Sequence, residues 1–130
     1  MLNKKNFYIN GKWVKPDSEK EIKVINPANE DVCTLITLGN KKDIDTAVSA
    51  AKEAFKLWGY SPKEERIDYL EKLYALYKQR WDDFTNAIVL EMGAPKEFAS
   101  KLQVGAGAAH IKSFIKYLKE FNFDKPLNDH

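Results

Sequence analysis

A chain of 130 residues has about the length of one domain, and its 44% hydrophobic residues are enough to build a core. The formal net charge is only +2, and basic residues alternate with acidic ones, so the sequence has no basic stripe for nucleic acid. No apolar run approaches the length of a membrane helix, and we therefore expect neither a nucleic-acid nor a membrane partner.

The amino-terminal segment and the cysteine usage both favour the cytoplasm. The first residues, MLNKKNFYING, carry charge but no apolar core of a signal peptide, so none is predicted. Cys33 is the only cysteine and has no intramolecular partner for a disulfide.

Residues 7–38 predict a layer of three or four short antiparallel strands. In FYINGKWV, Asn10-Gly11 supplies the two positive-φ residues of a type I′ turn between aromatic and β-branched neighbours. The runs EIKVI and VCTLITL each alternate with a period of two, and the pair Asn26-Pro27 predicts the turn that joins them.

Helical periodicity follows over residues 40–123. Asn40 and Asp43 resemble a capping box, and apolar residues then recur at steps of three and four until Gly59. This first helix therefore has an apolar face, formed by Ile44, Ala47, Val48, Ala51, Ala54, Phe55 and Trp58.

A second helical pattern begins at SPKE, with Ser61 predicted as the N-cap. It ends at Gly93 and Pro95, and it is either one long helix or two helices joined near residues 80–83. A last helix is predicted over residues 96–121. The sequence thus predicts an α+β fragment of β-hairpins followed by three or four amphipathic helices.

Few residues offer chemistry. Cys33 could be a nucleophile, but it lies in a predicted strand without a neighbouring histidine, so a structural thiol is the favoured interpretation. The stretch GAGAAH imitates a dinucleotide loop, yet no strand precedes it, which favours small residues that let a helix pack closely. His110 and His130 have no second ligand at zinc-site spacing. No catalytic or cofactor-binding residue is predicted.

Glu91 has two open interpretations. Counted from Phe84 and Ile88, it falls on the buried face of its helix, where a carboxylate needs a partner such as a backbone N–H, an arginine or a cation. Alternatively, the helix has already ended and Glu91 is solvated.

The order of five motifs resembles the amino-terminal segment of the aldehyde dehydrogenase superfamily. The motifs are FYINGKWV, VINPANEDV, AVSAAKEAFKLW, ERIDYLEKLYALYKQR and EMGAPKEFA. They span residues 7–99, and the helix to about residue 123 continues the match more weakly. Each motif alone is modest, but all five occur in the family's order and with its gaps.

The resemblance implies a fold and an activity. The strands and helices would belong to the α/β cofactor-binding domain, with residues 1–130 as a single incomplete domain. The full-length enzyme would use NAD or NADP to oxidise an aldehyde to a carboxylic acid through a cysteine thiohemiacetal. It would be a homodimer or homotetramer.

The family's cofactor loop, glutamate base and catalytic cysteine come later in a longer chain. The resemblance therefore implies an amino-terminal fragment that is inactive alone and binds no nicotinamide cofactor. The family also has a monovalent-cation site for Na⁺ or K⁺, whose positions here are Val24, Ile25 and Glu91. The alternative function is a free-standing, non-enzymatic binding module that uses an exposed apolar patch.

Overall fold

The computed structural model describes residues 2–127, and it describes side chains from residue 5 onwards. Strands come first and helices follow, which confirms the predicted α+β arrangement. The strands are β1 (Leu2–Lys4), β2 (Phe7–Ile9), β3 (Lys12–Val14), β4 (Glu21–Ile25) and β5 (Val32–Thr37). The helices are α1 (Lys41–Trp58), α2 (Lys63–Gln79), α3 (Trp81–Met92), α4 (Lys96–Phe98) and α5 (Gly105–Glu120), with a π-helical segment (Ala99–Val104) between the last two.

The hairpin of β2 and β3 forms as predicted. Both turn residues have positive φ, 52° at Asn10 and 74° at Gly11, as a type I′ turn requires. Tyr8 lies opposite Trp13, and their rings meet edge to face at 5.2 Å between centroids.

The predicted turn at Asn26-Pro27 joins β4 to β5, which pair antiparallel. The Asn26 side chain accepts a hydrogen bond from the Ala28 N–H (2.9 Å), and the Asn26 N–H donates to the Asp31 carbonyl (2.8 Å). The first of these bonds is the side-chain to backbone bond of an Asx turn, and the second joins the two ends of the turn.

One strand is missing from the prediction. β1 pairs in parallel with β5, so the sheet order is β1-β5-β4 and the layer is not wholly antiparallel. β1 has only three residues, too short for an alternation to show in the sequence, and its partner lies 32 positions away, from Leu2 to Thr34.

The capping prediction for α1 is confirmed. The Asn40 side chain accepts from the Asp43 N–H (3.1 Å), and the Asp43 carboxylate accepts from the Asn40 N–H (3.0 Å). The corresponding prediction for α2 is wrong, because Ser61 does not cap that helix. Its hydroxyl instead donates to the Trp58 carbonyl (2.8 Å) and accepts from Arg66 Nε (2.9 Å), which ties the end of α1 to α2.

The second helical pattern is two helices. The backbone leaves helical geometry at Arg80 (φ −102°, ψ 23°), and α3 begins at the next residue. α3 ends at Gly93 in the left-handed region (φ 64°), as predicted. A side chain on Gly93 would lie 3.0 Å from the Ala28 nitrogen, so the end of α3 packs directly on the Asn26-Pro27 turn.

The last predicted helix contains a π-helical segment that the sequence did not reveal. Tyr77 of α2 donates its hydroxyl to the Val104 carbonyl at the end of this segment (3.0 Å), and Trp81 Nε1 donates to the Ser100 hydroxyl within it (2.9 Å). Side chains from α2 and α3 thus form hydrogen bonds with the π-helical segment. Side chains that bond to a helix backbone are one known cause of such distortions.

The buried core lies where α2, α3 and α5 meet the π-helical segment. Its buried residues are Thr85, Ala99, Val104, Ala108 and Ile115. No comparable core covers α1, where only Asp43 is buried. Among the described residues no helix is both long and apolar enough to cross a membrane.

At Gly107 of α5, the Tyr77 side chain of α2 packs directly against the helix backbone. A Cβ at this position would lie 2.3 Å from the Tyr77 hydroxyl, whereas a Cβ on Gly105 meets only the Ser100 carbonyl at 4.0 Å. We expect Gly107→Ala to displace the tyrosine and lose its hydrogen bond, lowering the free energy of unfolding by about 1–3 kcal/mol.

Gly105→Ala is the matched control. It has room and helical φ, so it should stabilise α5 by up to about 1 kcal/mol. Urea unfolding followed by circular dichroism measures both variants, and equal stability of the two would contradict the close packing.

Candidate functional site

The Asp43 carboxylate accepts hydrogen bonds from three backbone N–H groups. Besides capping its own helix, it accepts from the backbone N–H of Asp17 (2.7 Å) and of Ser18 (3.4 Å). Asp43 therefore fastens the loop after β3 to the first turn of α1, across 26 positions of sequence.

Asp17 completes this joint from the loop side. Its carboxylate accepts from the Asn40 amide (2.9 Å) and from Lys42 Nζ (2.5 Å). We call Asp17, Asn40, Lys42 and Asp43 the Asp43 joint. Each carboxylate accepts hydrogen bonds from several donors, so the Asp43 joint has the geometry of a structural contact that holds the loop against α1.

The titration of the joint follows from these donors. Hydrogen bonds from the backbone N–H groups of Asn40 and Asp17 hold the pKa of Asp43 below its ordinary value of 3.8. The Lys42 ammonium, and then the Asn40 amide, lower the pKa of Asp17. Both groups are carboxylates at neutral pH, which makes neither of them a general acid.

Cys33 lies in the middle of the sheet. It is buried in β5, and its Sγ donates to the Val24 carbonyl of β4 at 3.3 Å. A catalytic thiol needs exposure and a base or a helix N-terminus beside it. The structure gives Cys33 a strand backbone and a carbonyl instead, which supports a structural thiol.

The stretch GAGAAH lies inside α5, and no strand precedes it. The Tyr77 hydroxyl lies where a side chain at Gly107 would be, so the small residue allows close packing here, as predicted. His110 is exposed, and His130 lies outside the described residues. Within residues 2–127 no group of three His, Cys, Asp or Glu side chains could hold a metal ion.

The structure decides between the two interpretations of Glu91. Its helix continues to Met92, but its side chain is exposed, so the inward interpretation is wrong and Glu91 is solvated. The reason is that Phe84, one of the two residues from which the face was counted, is itself 38% exposed. The covered face of α3 runs through Trp81, Thr85 and Ile88, and a count that starts from Phe84 points beside that face.

The expected cation site involves two elements that come close in the structure, the end of α3 and the turn after β4. Gly93, two residues after Glu91, packs on the turn that follows Val24 and Ile25. Carboxylate and backbone carbonyl oxygens are ligands that hard cations prefer. In the part of the chain that the structure describes, Glu91 has no hydrogen bond or ion pair, so the donor chemistry fits Na⁺ or K⁺.

Two features that the sequence did not reveal point to a missing neighbour. The apolar face of α1 is bare, with Ile44 60% and Phe55 66% exposed. The side-chain oxygen of Gln103, in the π-helical segment, is buried and has no partner among the described residues. Buried acceptors are normally paired. The strong apolar periodicity of α1 was visible in the sequence, but the lack of a covering element was not.

Comparison with known proteins agrees with these signs of incompleteness. The model of the family described as "Aldehyde dehydrogenase family" matches residues 13–128. The 3-succinoylsemialdehyde-pyridine dehydrogenase of a Pseudomonas species is 38% identical over 98% of this chain, which covers 27% of that protein. The chain thus spans about a quarter of the length of such curated relatives.

In solved structures, too, this chain matches only about a quarter of the longer protein. An aldehyde dehydrogenase from Bartonella henselae matches with a TM-score of 0.96 and 42% identity, over 99% of this chain and 27% of its own. Aldehyde dehydrogenase C of Pseudomonas syringae, solved with NAD⁺ and octanal, matches with a TM-score of 0.91 and 34% identity, over 95% of this chain and 26% of its own.

The Asp43 joint predicts a pH dependence of stability. A carboxyl whose pKa is lowered in the folded state stabilises that state above its unfolded pKa, and the contribution is lost as pH falls through the lowered value. We expect the urea midpoint of the wild-type chain to fall as pH drops below about 4. Asp43→Asn should be less stable at pH 7 and should show a shallower fall in acid.

Asp45→Asn is the control, since among the described residues the exposed Asp45 carboxylate pairs only with Lys41 on the helix surface. Urea midpoints at pH 7 and pH 3 distinguish the variants. If Asp43→Asn and Asp45→Asn behaved alike at both pH values, the joint would have no special role.

Proposed function

Because the chain belongs to the aldehyde dehydrogenase family, we propose that it is the amino-terminal part of an NAD(P)-dependent aldehyde dehydrogenase. The proposal rests on one observation. Nearly the whole of this chain matches its relatives, and the match covers about a quarter of the length of each relative. The residues of the chain supply architecture, and the reacting groups belong to the remainder of the longer protein.

The proposed reaction oxidises an aldehyde to a carboxylic acid. A cysteine thiolate of the remainder would attack the carbonyl carbon to give a thiohemiacetal, and NAD(P), when bound to the remainder, would supply the oxidant that converts this adduct into a thioester. Water activated by a glutamate then hydrolyses the thioester and releases the acid and the thiolate. Cys33 takes no part, since its Sγ is buried and donates to the Val24 carbonyl.

The cofactor of the longer protein is proposed to be of the NAD type. Support comes from aldehyde dehydrogenase C of Pseudomonas syringae, whose structure holds NAD⁺. The longer protein is further proposed to act in the cytoplasm as a homodimer or homotetramer, with residues 1–130 as one incomplete domain.

A monovalent cation is proposed to bind at the corner formed by the end of α3 and the turn after β4. The Glu91 carboxylate and the carbonyls of Val24 and Ile25 would hold it. The exposed, unpaired carboxylate and the contact of Gly93 with Ala28 support this assignment. When bound, the ion would neutralise Glu91 and fasten α3 to the sheet.

A second candidate is the free-standing binding module, favoured by the bare apolar face of α1. The two functions differ in what lies beyond the codon for His130. An open frame that encodes a Gly-rich cofactor loop and a cysteine motif supports the dehydrogenase. A stop codon, with a monodisperse monomer that unfolds cooperatively, would support the module and overturn the dehydrogenase.

The 130-residue chain alone should have no dehydrogenase activity, because the described residues include no activated nucleophile and no phosphate-binding loop. We expect no aldehyde-dependent absorbance of NADH or NADPH at any chain concentration. Cofactor reduction that Cys33→Ser abolishes would show that Cys33 is a nucleophile after all.

Glu91→Gln should remove cation-dependent stabilisation and leave the fold intact. The wild-type chain is expected to melt at a higher temperature in NaCl or KCl than in choline chloride of equal ionic strength, and Glu91→Gln should melt equally in all three. Glu97→Gln, which affects only the exposed pair with Lys101, is the control and should keep the wild-type difference. A cation effect that persists in Glu91→Gln would remove Glu91 from the site.

A further inference from the structure

The turn of the β2–β3 hairpin exposes two groups that can react with each other. The side-chain amide of Asn10 has an electrophilic carbonyl carbon, Cγ, and the backbone nitrogen of Gly11 is the next nucleophile along the chain. Both residues are exposed. Among the residues that the structure describes, neither the Asn10 side chain nor the Gly11 N–H takes part in a hydrogen bond. Both groups are therefore free to react.

Glycine at position 11 leaves the nucleophile open. Gly11 has no Cβ to hinder the approach of Asn10 Cγ to its nitrogen. A Cβ built on Gly11 would meet no atom within 4 Å, so the turn is surrounded by open space on that side. The positive φ angles of the two residues are those of a type I′ turn, which holds the pair at the tip of the hairpin.

Three other asparagines in turns and caps are blocked or engaged. Asn26 precedes a proline, whose nitrogen carries no hydrogen, and its side chain accepts from the Ala28 N–H. Asn29 donates to the Asp31 carboxylate (2.8 Å) and accepts from the Asp31 N–H (3.2 Å). Asn40 holds the capping box of α1. These side chains would have to break hydrogen bonds before they could react.

Asn6 is the nearest comparison for Asn10. It is exposed as well, but the next residue is Phe7, whose large side chain hinders attack by the backbone nitrogen that carries it. Asn6 and Asn10 lie in the same segment of the chain, so a difference in their reactivity reports on the turn and on Gly11.

We propose that Asn10 is a site of spontaneous deamidation that alters the β2–β3 hairpin. The Gly11 nitrogen gives up its proton to a solvent base and forms a bond with Asn10 Cγ. The bond between Cγ and the side-chain nitrogen breaks, and that nitrogen takes up one proton and leaves as ammonia. The product is a five-membered succinimide, whose ring nitrogen is bonded to Cγ and to the backbone carbonyl carbon of residue 10.

Water then opens the succinimide at one of its two carbonyl carbons. Attack at Cγ breaks the bond from Cγ to the ring nitrogen and leaves aspartate with an ordinary backbone. Attack at the backbone carbonyl carbon breaks the other bond and leaves isoaspartate, whose main chain runs through Cγ and is longer by one methylene. The whole sequence consumes one water and releases one ammonia, and it needs no oxidant or reductant.

The two products have different consequences for the hairpin. An Asp-Gly pair is also favoured in type I′ turns, so aspartate keeps the hairpin and adds a negative charge. Isoaspartate lengthens a two-residue loop that connects the paired residues Ile9 and Lys12. Each strand has only three residues with which to hold the register. We therefore expect isoaspartate to separate β2 from β3.

The effect of isoaspartate should stay local to the hairpin. The Phe7 ring lies 3.5 Å from the position of a Cβ on Gly39, just before the cap of α1, and this contact depends on the position of β2. The Asp43 joint does not depend on it, since the loop that Asp43 holds follows β3. The start of α1 should therefore remain capped when the hairpin opens.

Mass spectrometry tests the reaction itself. The wild-type chain is incubated at neutral pH and then digested, and a sample digested at the start corrects for conversion during digestion. Electron-transfer fragmentation assigns each site and distinguishes aspartate from isoaspartate. Conversion at Asn10 should exceed that at every other described asparagine by at least about tenfold, because the Asn10 side chain breaks no hydrogen bond and its neighbour is glycine.

Asn10→Gly is the matched control for the reaction. A Gly-Gly pair keeps the type I′ turn but has no side-chain amide, so the hairpin peptide of this variant should show no conversion above that of Asn6. Equal conversion of Asn10 and Asn29 in the wild-type chain would overturn the proposal. Conversion of the hairpin peptide that persists in Asn10→Gly would also overturn it.

Hydrogen exchange tests the effect on the hairpin. The isoaspartate form is separated by chromatography, and Asn10→Asp provides the aspartate form. The amides of residues 7–14 should exchange at least about tenfold faster in the isoaspartate form, whereas those of residues 45–50 in α1 should exchange alike in both. Equal exchange of residues 7–14 in the two forms would show that the hairpin tolerates isoaspartate and would overturn the proposed alteration.

Discussion

The position of α1 relative to the loop after β3 depends on one carboxylate. Asp43 accepts hydrogen bonds from the N–H groups of Asn40, Asp17 and Ser18, and so joins a helix start to a loop that local sequence rules treat separately. It is also the only buried residue of α1. Without a core beneath it, α1 is oriented by hydrogen bonds at its ends, and those bonds set where its bare apolar face points.

The helical half is organised differently, by close approach of backbone and aromatic side chains. Tyr77 passes over Gly107 and bonds to the Val104 carbonyl, while its ring stacks on Phe84 at 4.5 Å. Gly107 of GAGAAH is needed for this contact, since a side chain there would collide with the Tyr77 hydroxyl. A stretch that imitates a phosphate-binding loop therefore acts as a packing surface, and it shows why such a motif needs a strand before it.

The sequence predicted features that depend on neighbours a few residues apart. The Asn10-Gly11 turn, the Asn40 capping box and the left-handed Gly93 follow from local backbone chemistry. Features that depend on distant partners were missed: the parallel pairing of β1, the π-helical segment and the reach of Asp43 to Asp17. The inward interpretation of Glu91 failed because it was counted partly from Phe84, whose exposure depends on what packs against α3 and not on the local sequence. The order of motifs identified the family.

The account makes α1 the least protected helix of the isolated chain, because it is fastened at its ends but not covered. Native-state hydrogen exchange tests this directly. The amides of residues 47–56 in α1 should exchange at least about tenfold faster than those of residues 108–115 in α5, corresponding to about 1.4 kcal/mol of opening free energy. Equal protection of the two helices would contradict the claim that α1 lacks a covering element in this chain.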